Sequence, residues 1–343
     1  MKESSRILDI KIGVVGAGSW GTALANLLAD KGYVVSLWVF EPEVEQQILN
    51  ERENKVFLPG VKLSERLMPS GDLVHVVSGK DLLLVVVPSH VMRETSGKFS
   101  RYIPENTLVV SASKGIENIT HLTMSQVLRE TIPHVPENRF AVLSGPSFAK
   151  EVAEKVPTLI SVASKDPEAA CLIQGVFATS YFRVYTNNDM VGVELGGAVK
   201  NVIAIASGII DGLGLGLNTR AALITRGLTE IRRLGTQMGA RPDTFAGLSG
   251  IGDLLLTCTG ALSRNYTVGK KIGEGKKTKE ILSEMRMVAE GVKTAKSVYN
   301  LSRKLNVEMP ICHEIYHILY EDDSPIAAVR RLMTRDLKNE LDD

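Results

Sequence analysis

Cysteine is scarce in this 343-residue chain: Cys171, Cys258 and Cys312 are the only three, widely spaced. An odd, scattered set gives neither a zinc-binding spacing nor a disulfide framework, and it fits a reducing cytoplasm. An excess of one charge is also lacking. The 40 basic and 39 acidic residues nearly cancel, with no long like-charge run. No global field therefore recruits nucleic acid or anionic lipid. No apolar run reaches the ~20 residues that a bilayer span requires. The nearest approach, residues 202–210, is broken by Ser207 and Gly208. The first eleven residues carry charges where a secretory leader needs an apolar block, so a cytoplasmic chain free of membrane is expected. Internal repeats and low-complexity segments are absent too. Cys312, His313 and His317 could face one side of a helix as metal ligands. With no further ligand nearby they read as a partly buried helix, and no metal is expected.

What is present begins with Ile12-Gly13-Val14-Val15-Gly16-Ala17-Gly18-Ser19-Trp20-Gly21. An apolar run enters Gly-x-Gly-x-x-Gly and a helical pattern follows. That is the order of a dinucleotide-binding turn. Gly16 permits the tight turn, Gly18 lets backbone approach a pyrophosphate, and Gly21 lets helix pack on strand. The helix start then offers free N–H groups and a positive dipole end. A second apolar run, 33–39, leads to Glu41, twenty residues after Gly21, where a ribose-binding acid is expected.

Further strands are expected at 82–87, 107–112, 140–144, 158–163 and 182–186, besides 11–15 and 34–38. Several are continuous Val/Leu/Ile runs, as in strands covered on both faces. The pattern is α/β: a Rossmann-like doubly wound N-terminal domain, followed by an all-α C-terminal domain. Their expected extents are 8–190 and 191–337. Ligands collect at the carboxyl ends of such strands. The loops Pro88-Ser89-His90, Ser113-Lys114-Gly115 and Gly145-Pro146-Ser147 are thus candidate walls of a site. His90 reads as the start of a helix, and His134 as part of a surface turn. Residues 191–210 read as one nearly all-apolar helix inside the second domain. A glycine-rich break at 211–218 follows, then helices at 219–238, 278–285, 294–305, 311–320 and 325–334. Ser324 caps the last of these, and Pro325 sits in its first turn.

Lys200 lies in that apolar helix beside Asn201, flanked by Gly196, Gly197 and Ala198. It is either a lysine whose stem is buried and whose ammonium reaches water, or a desolvated proton donor and acceptor. Asp253, between glycines and an apolar run, is either a helix N-cap or a group that orients Lys200 or a substrate hydroxyl. Ser263-Arg264-Asn265 begins a helix. Ser263 and Asn265 fit ordinary capping, while Arg264 adds a planar fork suited to phosphate. Lys114, at a strand end, adds another cation.

These residues sit in motifs that together resemble one family. GAGSWGTALA at 16–25, VVVPSHV at 85–91, SKG at 113–115 and SGPSFAKE at 144–151 occur in order. They are followed by VELGGAVKNVIAIASGIIDGLGLGLNTRAALITRGL at 193–228, GIGDLLLTC at 250–258, SRN at 263–265, VAEG at 288–291 and EMPI at 308–311. The chain resembles the NAD(P)-dependent glycerol-3-phosphate dehydrogenases of the bacterial type over essentially its whole length. The resemblance implies reversible hydride transfer between NADH or NADPH and dihydroxyacetone phosphate, giving sn-glycerol 3-phosphate for glycerophospholipid synthesis. It makes Lys200 the proton donor in reduction and acceptor in oxidation. It places Lys114, Gly145, Ser147, Asn201, Asp253, Thr257, Ser263, Arg264 and Asn265 on the substrate. It places Ser19, Trp20, Phe40, Lys114, Ala149, Arg264, Val288 and Glu290 on the cofactor, and it implies a homodimer.

One departure stands out. Where many bacterial members carry a basic residue or histidine after the second strand, this chain has Val39-Phe40-Glu41. A carboxylate there accepts ribose hydroxyls and repels a 2′-phosphate, so NADH should serve at least as well as NADPH. The alternative enzyme is a two-domain 3-hydroxyacid dehydrogenase, from which Ser263-Arg264-Asn265 separates this chain by predicting phosphate recognition. A non-catalytic nicotinamide sensor would need none of Lys200, Asp253 and Arg264 together.

Overall fold

The computed structural model describes residues 9–285 and 289–340. Four fully buried residues, β1 (Ile12–Val15), enter the glycine turn, and α1 (Ser19–Asp30) leaves it. The chain then alternates through β2 (Val35–Trp38), α2 (Pro42–Glu51), β3 (Leu67–Ser70), α3 (Leu73–Val77), β4 (Leu82–Val85), α4 (Met92–Phe99), β5 (Leu108–Ser111) and α5 (Met124–Thr131). β6 (Phe140–Ser144), α6 (Ala149–Ala153), β7 (Thr158–Ser164), α7 (Pro167–Phe177) and β8 (Phe182–Asn187) complete the sheet. Its order is β3-β2-β1-β4-β5-β6-β7-β8. Every neighbouring pair is parallel except β6–β7. β1 pairs with β2 on one side and β4 on the other, so the strand order reverses there, and the glycine turn leaves β1 at that switch point.

All seven strands expected from apolar runs are present. β3 is the one that the sequence did not announce. It is an edge strand in which only Leu67 is buried, and it includes Pro69. Proline is tolerated there because an edge strand leaves one row of N–H groups unpaired.

After β8 only helices follow among the described residues: α8 (Met190–Gly212), α9 (Gly216–Gln237), α10 (Asp253–Thr259), α11 (Arg264–Gly273), α12 (Thr278–Ser283), α13 (Glu290–Lys304), α14 (Pro310–Tyr320) and α15 (Pro325–Met333). α8 has the length and hydropathy of a membrane span, but its most apolar window is 100% buried within the fold. It is a core helix. The glycine-rich break is shorter than 211–218, because α8 and α9 leave only residues 213–215 between them. α13 starts four residues before the expected 294. Ser324 does cap α15, accepting from the Ala327 amide.

Contacts divide the chain into two units. A sheet unit comprises Met1–Lys114 and Leu122–Met190, and a helical unit comprises Gly115–His121 and Val191–Asp343. The sheet unit's core gathers Val14, Leu24, Leu37, Leu84, Val110 and Phe177. The helical unit's core gathers Val199, Ile203, Leu234, Phe245, Leu254 and Ile315, with Ile116 from the inserted segment. His90 is exposed in a short 3-10 turn before α4, and His134 Nε2 lies 2.9 Å from the Ile103 carbonyl.

Candidate active site

The three glycines of the turn do different work. Gly16 has φ +115°, and a Cβ on it would stand 2.6 Å from the Val86 carbonyl oxygen. A Cβ on Gly21 would stand 1.9 Å from the Gly16 carbonyl oxygen, so α1 packs on the turn only because that atom is absent. Gly18 is extended (φ −64°, ψ 177°), and nothing lies within 4 Å of where its Cβ would be. Two glycines thus serve internal packing and the middle one leaves open space, as a pyrophosphate cradle requires. α1 begins without a side-chain cap and without an acidic residue in its first turn, so its dipole and amides stay suited to an anion. The residues present fit a dinucleotide.

Ser19 and Trp20 form the first turn of α1, and Trp20 Nε1 is buried with no hydrogen-bond partner. Phe40 is 71% exposed with its ring edge against Trp38, 5.8 Å between centroids. Glu41 precedes α2 and closes its first turn through its backbone carbonyl, which accepts from Val44 and Glu45. Its carboxylate makes no cap bond. Ala149 opens α6, packed half-buried on the sheet unit's core. Val288 lies outside the described residues.

At the strand ends of the same unit, Lys114, Gly145 and Ser147 come together. The Gly145 carbonyl accepts from Ser147 Oγ at 3.0 Å and from Lys114 Nζ at 3.5 Å. Gly145 has φ +155° and presses on Ile160, which would lie 2.9 Å from an added Cβ.

In the helical unit Lys200 is 4% exposed, and its ammonium bonds Asp253 Oδ1 and, at 2.8 Å, Thr257 Oγ1. Thr257 donates in turn to the Asp253 carbonyl at 2.6 Å. The reading of Lys200 as a snorkelling lysine is overturned, because its head group ends in a buried polar cluster. The N-cap reading of Asp253 is overturned as well. Gly252 holds the cap position, Asp253 is the first helical residue, and its carboxylate faces Lys200. Four residues before each partner the backbones touch: a Cβ on Gly196 would stand 2.3 Å from the Ser249 carbonyl oxygen. Gly196 lies one helical turn before Lys200, and Ser249 lies four residues before Asp253 across a kink at Gly250, so this close approach brings together the two segments that carry the partners. Ser249 lies in the segment Leu248–Gly252, which feeds α10 and is kinked at Gly250 (φ −95°, ψ −107°).

Ser263 caps α11, accepting from the Tyr266 amide at 3.2 Å. Asn265 does not cap its own helix. Its Oδ1 accepts from the Gly291 amide at 3.0 Å. Gly291 also presses on the Asn201 carbonyl, 2.6 Å from an added Cβ. The Lys200–Asn201 turn, the start of α11 and the start of α13 therefore meet at Gly291, a residue that no spacing in the sequence singles out. Arg264 opens α11 as an exposed residue, yet the chain around its guanidinium desolvates it. Burial lowers its pKa, opposed by the Glu290 carboxylate at the head of α13. Arginine stays protonated throughout.

Among the described residues no three His, Cys, Asp or Glu side chains gather as a metal site. Cys312 is buried, His313 Nε2 meets Ser302 Oγ at 2.8 Å, and His317 Nδ1 meets Glu321 at 2.8 Å.

Two family profiles match the chain, one over each unit. The profile for the NAD-dependent glycerol-3-phosphate dehydrogenase N-terminus matches residues 11–170, and that for its C-terminus matches residues 189–330. The chain belongs to this family. A glycerol-3-phosphate dehydrogenase [NAD(P)+] of Syntrophobacter fumaroxidans is 57% identical over 331 residues, covering 96% of this chain and 97% of that one. Its counterpart in Geobacter metallireducens is 57% identical over 330 residues, covering 96% and 98%. The crystal structure of the Coxiella burnetii glycerol-3-phosphate dehydrogenase superposes with a TM-score of 0.91 at 41% identity, covering 95% of this chain and 99% of that one. Membership in the glycerol-3-phosphate dehydrogenase family favours the main reading over the 3-hydroxyacid alternative and makes the chain an NAD(P)-dependent oxidoreductase.

Proposed function

We propose that the chain interconverts dihydroxyacetone phosphate and sn-glycerol 3-phosphate, supplying glycerophospholipid synthesis, with Lys200 as the group that moves the proton. The observation that carries the residue roles is the buried ammonium of Lys200 between Asp253 and Thr257. A lysine taken out of water is tolerated when its charge is paired, and such a group is a usable acid and base.

When bound, a reduced nicotinamide held at the glycine turn would supply a hydride for the carbonyl carbon. The oxygen then becomes an alkoxide and needs one proton. Lys200 Nζ–H donates it, and in the oxidation direction Lys200 Nζ takes the proton from the hydroxyl. Asp253 keeps the ammonium oriented and its charge compensated, while Thr257 Oγ1 fixes its second hydrogen-bonding direction. Asn201, beside Lys200, is assigned a substrate contact. Arg264 and the N-terminus of α11, capped by Ser263, are assigned the phosphate, with Asn265 holding the start of α13. Lys114, Gly145 and Ser147 are assigned to the substrate as well. Gly16, Gly18, Ser19, Trp20 and Gly21 are assigned the cofactor's pyrophosphate end, Phe40 and Glu41 its adenosine ribose side, and Ala149 and Glu290 further cofactor contacts.

The Glu41 carboxylate, uncommitted to its helix cap, supports use of NADH at least as well as NADPH. The three unpaired cysteines support a reducing, cytoplasmic setting. The family resemblance supports a homodimer, which sedimentation of the purified chain tests. One steady-state experiment tests the reaction. Oxidation of NADH and of NADPH is followed with dihydroxyacetone phosphate and with dihydroxyacetone. Equal rates with and without the phosphate would remove the role of Arg264, and a strong preference for NADPH would remove that of Glu41.

A further inference from the structure

Lys114 ends the first segment of the sheet unit, and Gly115–His121 clusters with the helical unit. The chain turns at Gly115, whose φ of +150° favours glycine. Two residues past Lys114, Ile116 is 1% exposed within the helical unit's apolar core. Its carbonyl accepts from Ser297 Oγ at 2.9 Å, and Asn118 lies 2.8 Å from the same hydroxyl oxygen. A hydroxyl carries one proton and two lone pairs. That proton is shared between two acceptors that both face the hydroxyl, the Ile116 carbonyl and Asn118 Oδ1. Ser297 is fully buried on α13, about two turns, or roughly 10 Å, beyond Glu290 and Gly291. One helix thus carries the contacts to Arg264, Asn265 and Asn201 at its start and the clamp on the Lys114 loop further along.

We propose that Ser297 is a positioning residue for Lys114: by holding the Ile116 carbonyl and Asn118, it fixes the backbone from which Lys114 projects. The proposal rests on the reading that Lys114 contacts the substrate. A lysine on a clamped backbone loses less freedom when it meets its ligand, so releasing the clamp weakens binding and spares the proton transfer at Lys200.

Ser297→Ala, Ser297→Thr, Asn118→Ala, Lys114→Ala and the Lys114→Ala/Ser297→Ala double variant are compared by steady-state kinetics and urea denaturation. Ser302→Ala serves as control, since Ser302 is an equally buried hydroxyl on α13 that bonds Tyr299 and His313 instead. Ser297→Ala should raise KM for dihydroxyacetone phosphate about three- to tenfold, the range of one lost hydrogen bond, with kcat little changed. Ser297→Thr should restore it, and Asn118→Ala should shift it the same way. Ser302→Ala should lower stability without moving KM, and Ser297→Ala should add nothing once Lys114 is gone. An unchanged KM in Ser297→Ala, or an equal rise with and without Lys114, overturns the proposal. An unchanged KM in Lys114→Ala overturns the substrate reading of Lys114 instead. If Ser297→Ala does not fold, Asn118→Ala decides.

Discussion

Separating charge from chemistry at the Lys200–Asp253 pair gives the sharpest prediction. Their side chains are 6% and 1% exposed, so neither is compensated by water. Removing one member strands the other's charge in the interior, at a cost of about 3–5 kcal/mol. Replacing both with neutral residues removes the stranded charge, and buried pairs exchanged in this way are often neutral or stabilising. Lys200→Met and Asp253→Asn should therefore each destabilise the helical unit by about 3 kcal/mol or more. The double variant should recover most of that loss, giving a coupling energy of several kcal/mol. Activity should behave otherwise. Lys200→Met and the double variant both lose the proton donor and should fall by about 10²- to 10⁴-fold in kcat, while Asp253→Asn keeps the lysine and falls less. Urea denaturation followed by far-ultraviolet circular dichroism is the suitable assay. Trp20 and Trp38, the two tryptophans, both lie in the sheet unit, so their fluorescence would report on the wrong half. Strictly additive single costs would refute the buried-pair argument, and near-normal turnover in Lys200→Met would refute the proton-transfer role.

Three further outcomes follow from the same geometry. Arg264→Ala should raise KM for dihydroxyacetone phosphate by the equivalent of about 1.5–3 kcal/mol, one charge-assisted contact, without affecting turnover of unphosphorylated dihydroxyacetone. A parallel rise for both substrates would contradict a phosphate role. Gly18→Ala should leave folding intact and weaken NADH binding, because its Cβ meets open space. Gly21→Ala should disrupt the packing of α1, because its Cβ meets the Gly16 carbonyl. Fluorescence titration with NADH and a thermal melt of each variant test the contrast, and two indistinguishable variants would contradict it. Glu230, fully buried on α9, accepts from the Ile311 and Cys312 amides at 2.7 and 3.1 Å, and desolvation raises its pKa from 4.5 to about 7. The folded state then holds a proton that the unfolded chain releases. Its stability contribution is complete below pH 4.5 and is lost as pH rises toward 7, about 3 kcal/mol in all. Glu230→Gln should remove that slope, and a wild-type-minus-variant difference that stays constant from about pH 5 to 8 would contradict it.

Much of the fold was legible because it rests on local patterning. Buried strands need unbroken apolar runs, and seven such runs located seven strands. β3 escaped because an exposed edge needs no such run and tolerates Pro69. The glycine turn was legible because its three glycines, the apolar run before them and the helix start after them lie within about ten residues of sequence. The partners of the candidate site were not legible in the same way. Sequence left Asp253 open between a helix cap and a group that orients Lys200, because that link spans 53 residues. Gly291 was legible only as the last residue of VAEG in the family resemblance, with no spacing to show that two substrate-assigned asparagines converge on it.

The amino-acid order by itself determined the α/β half, the helical half and the phosphate turn, since hydrophobic period and the spacing of the turn glycines are set within a few residues. Only the tertiary structure decided which ammonium meets which carboxylate, and that the residues after Lys114 join the helical core. The first depends on backbones approaching to contact at Gly196, where the absence of one Cβ lets distant segments meet, and the second on Ile116 entering the apolar core and bonding Ser297.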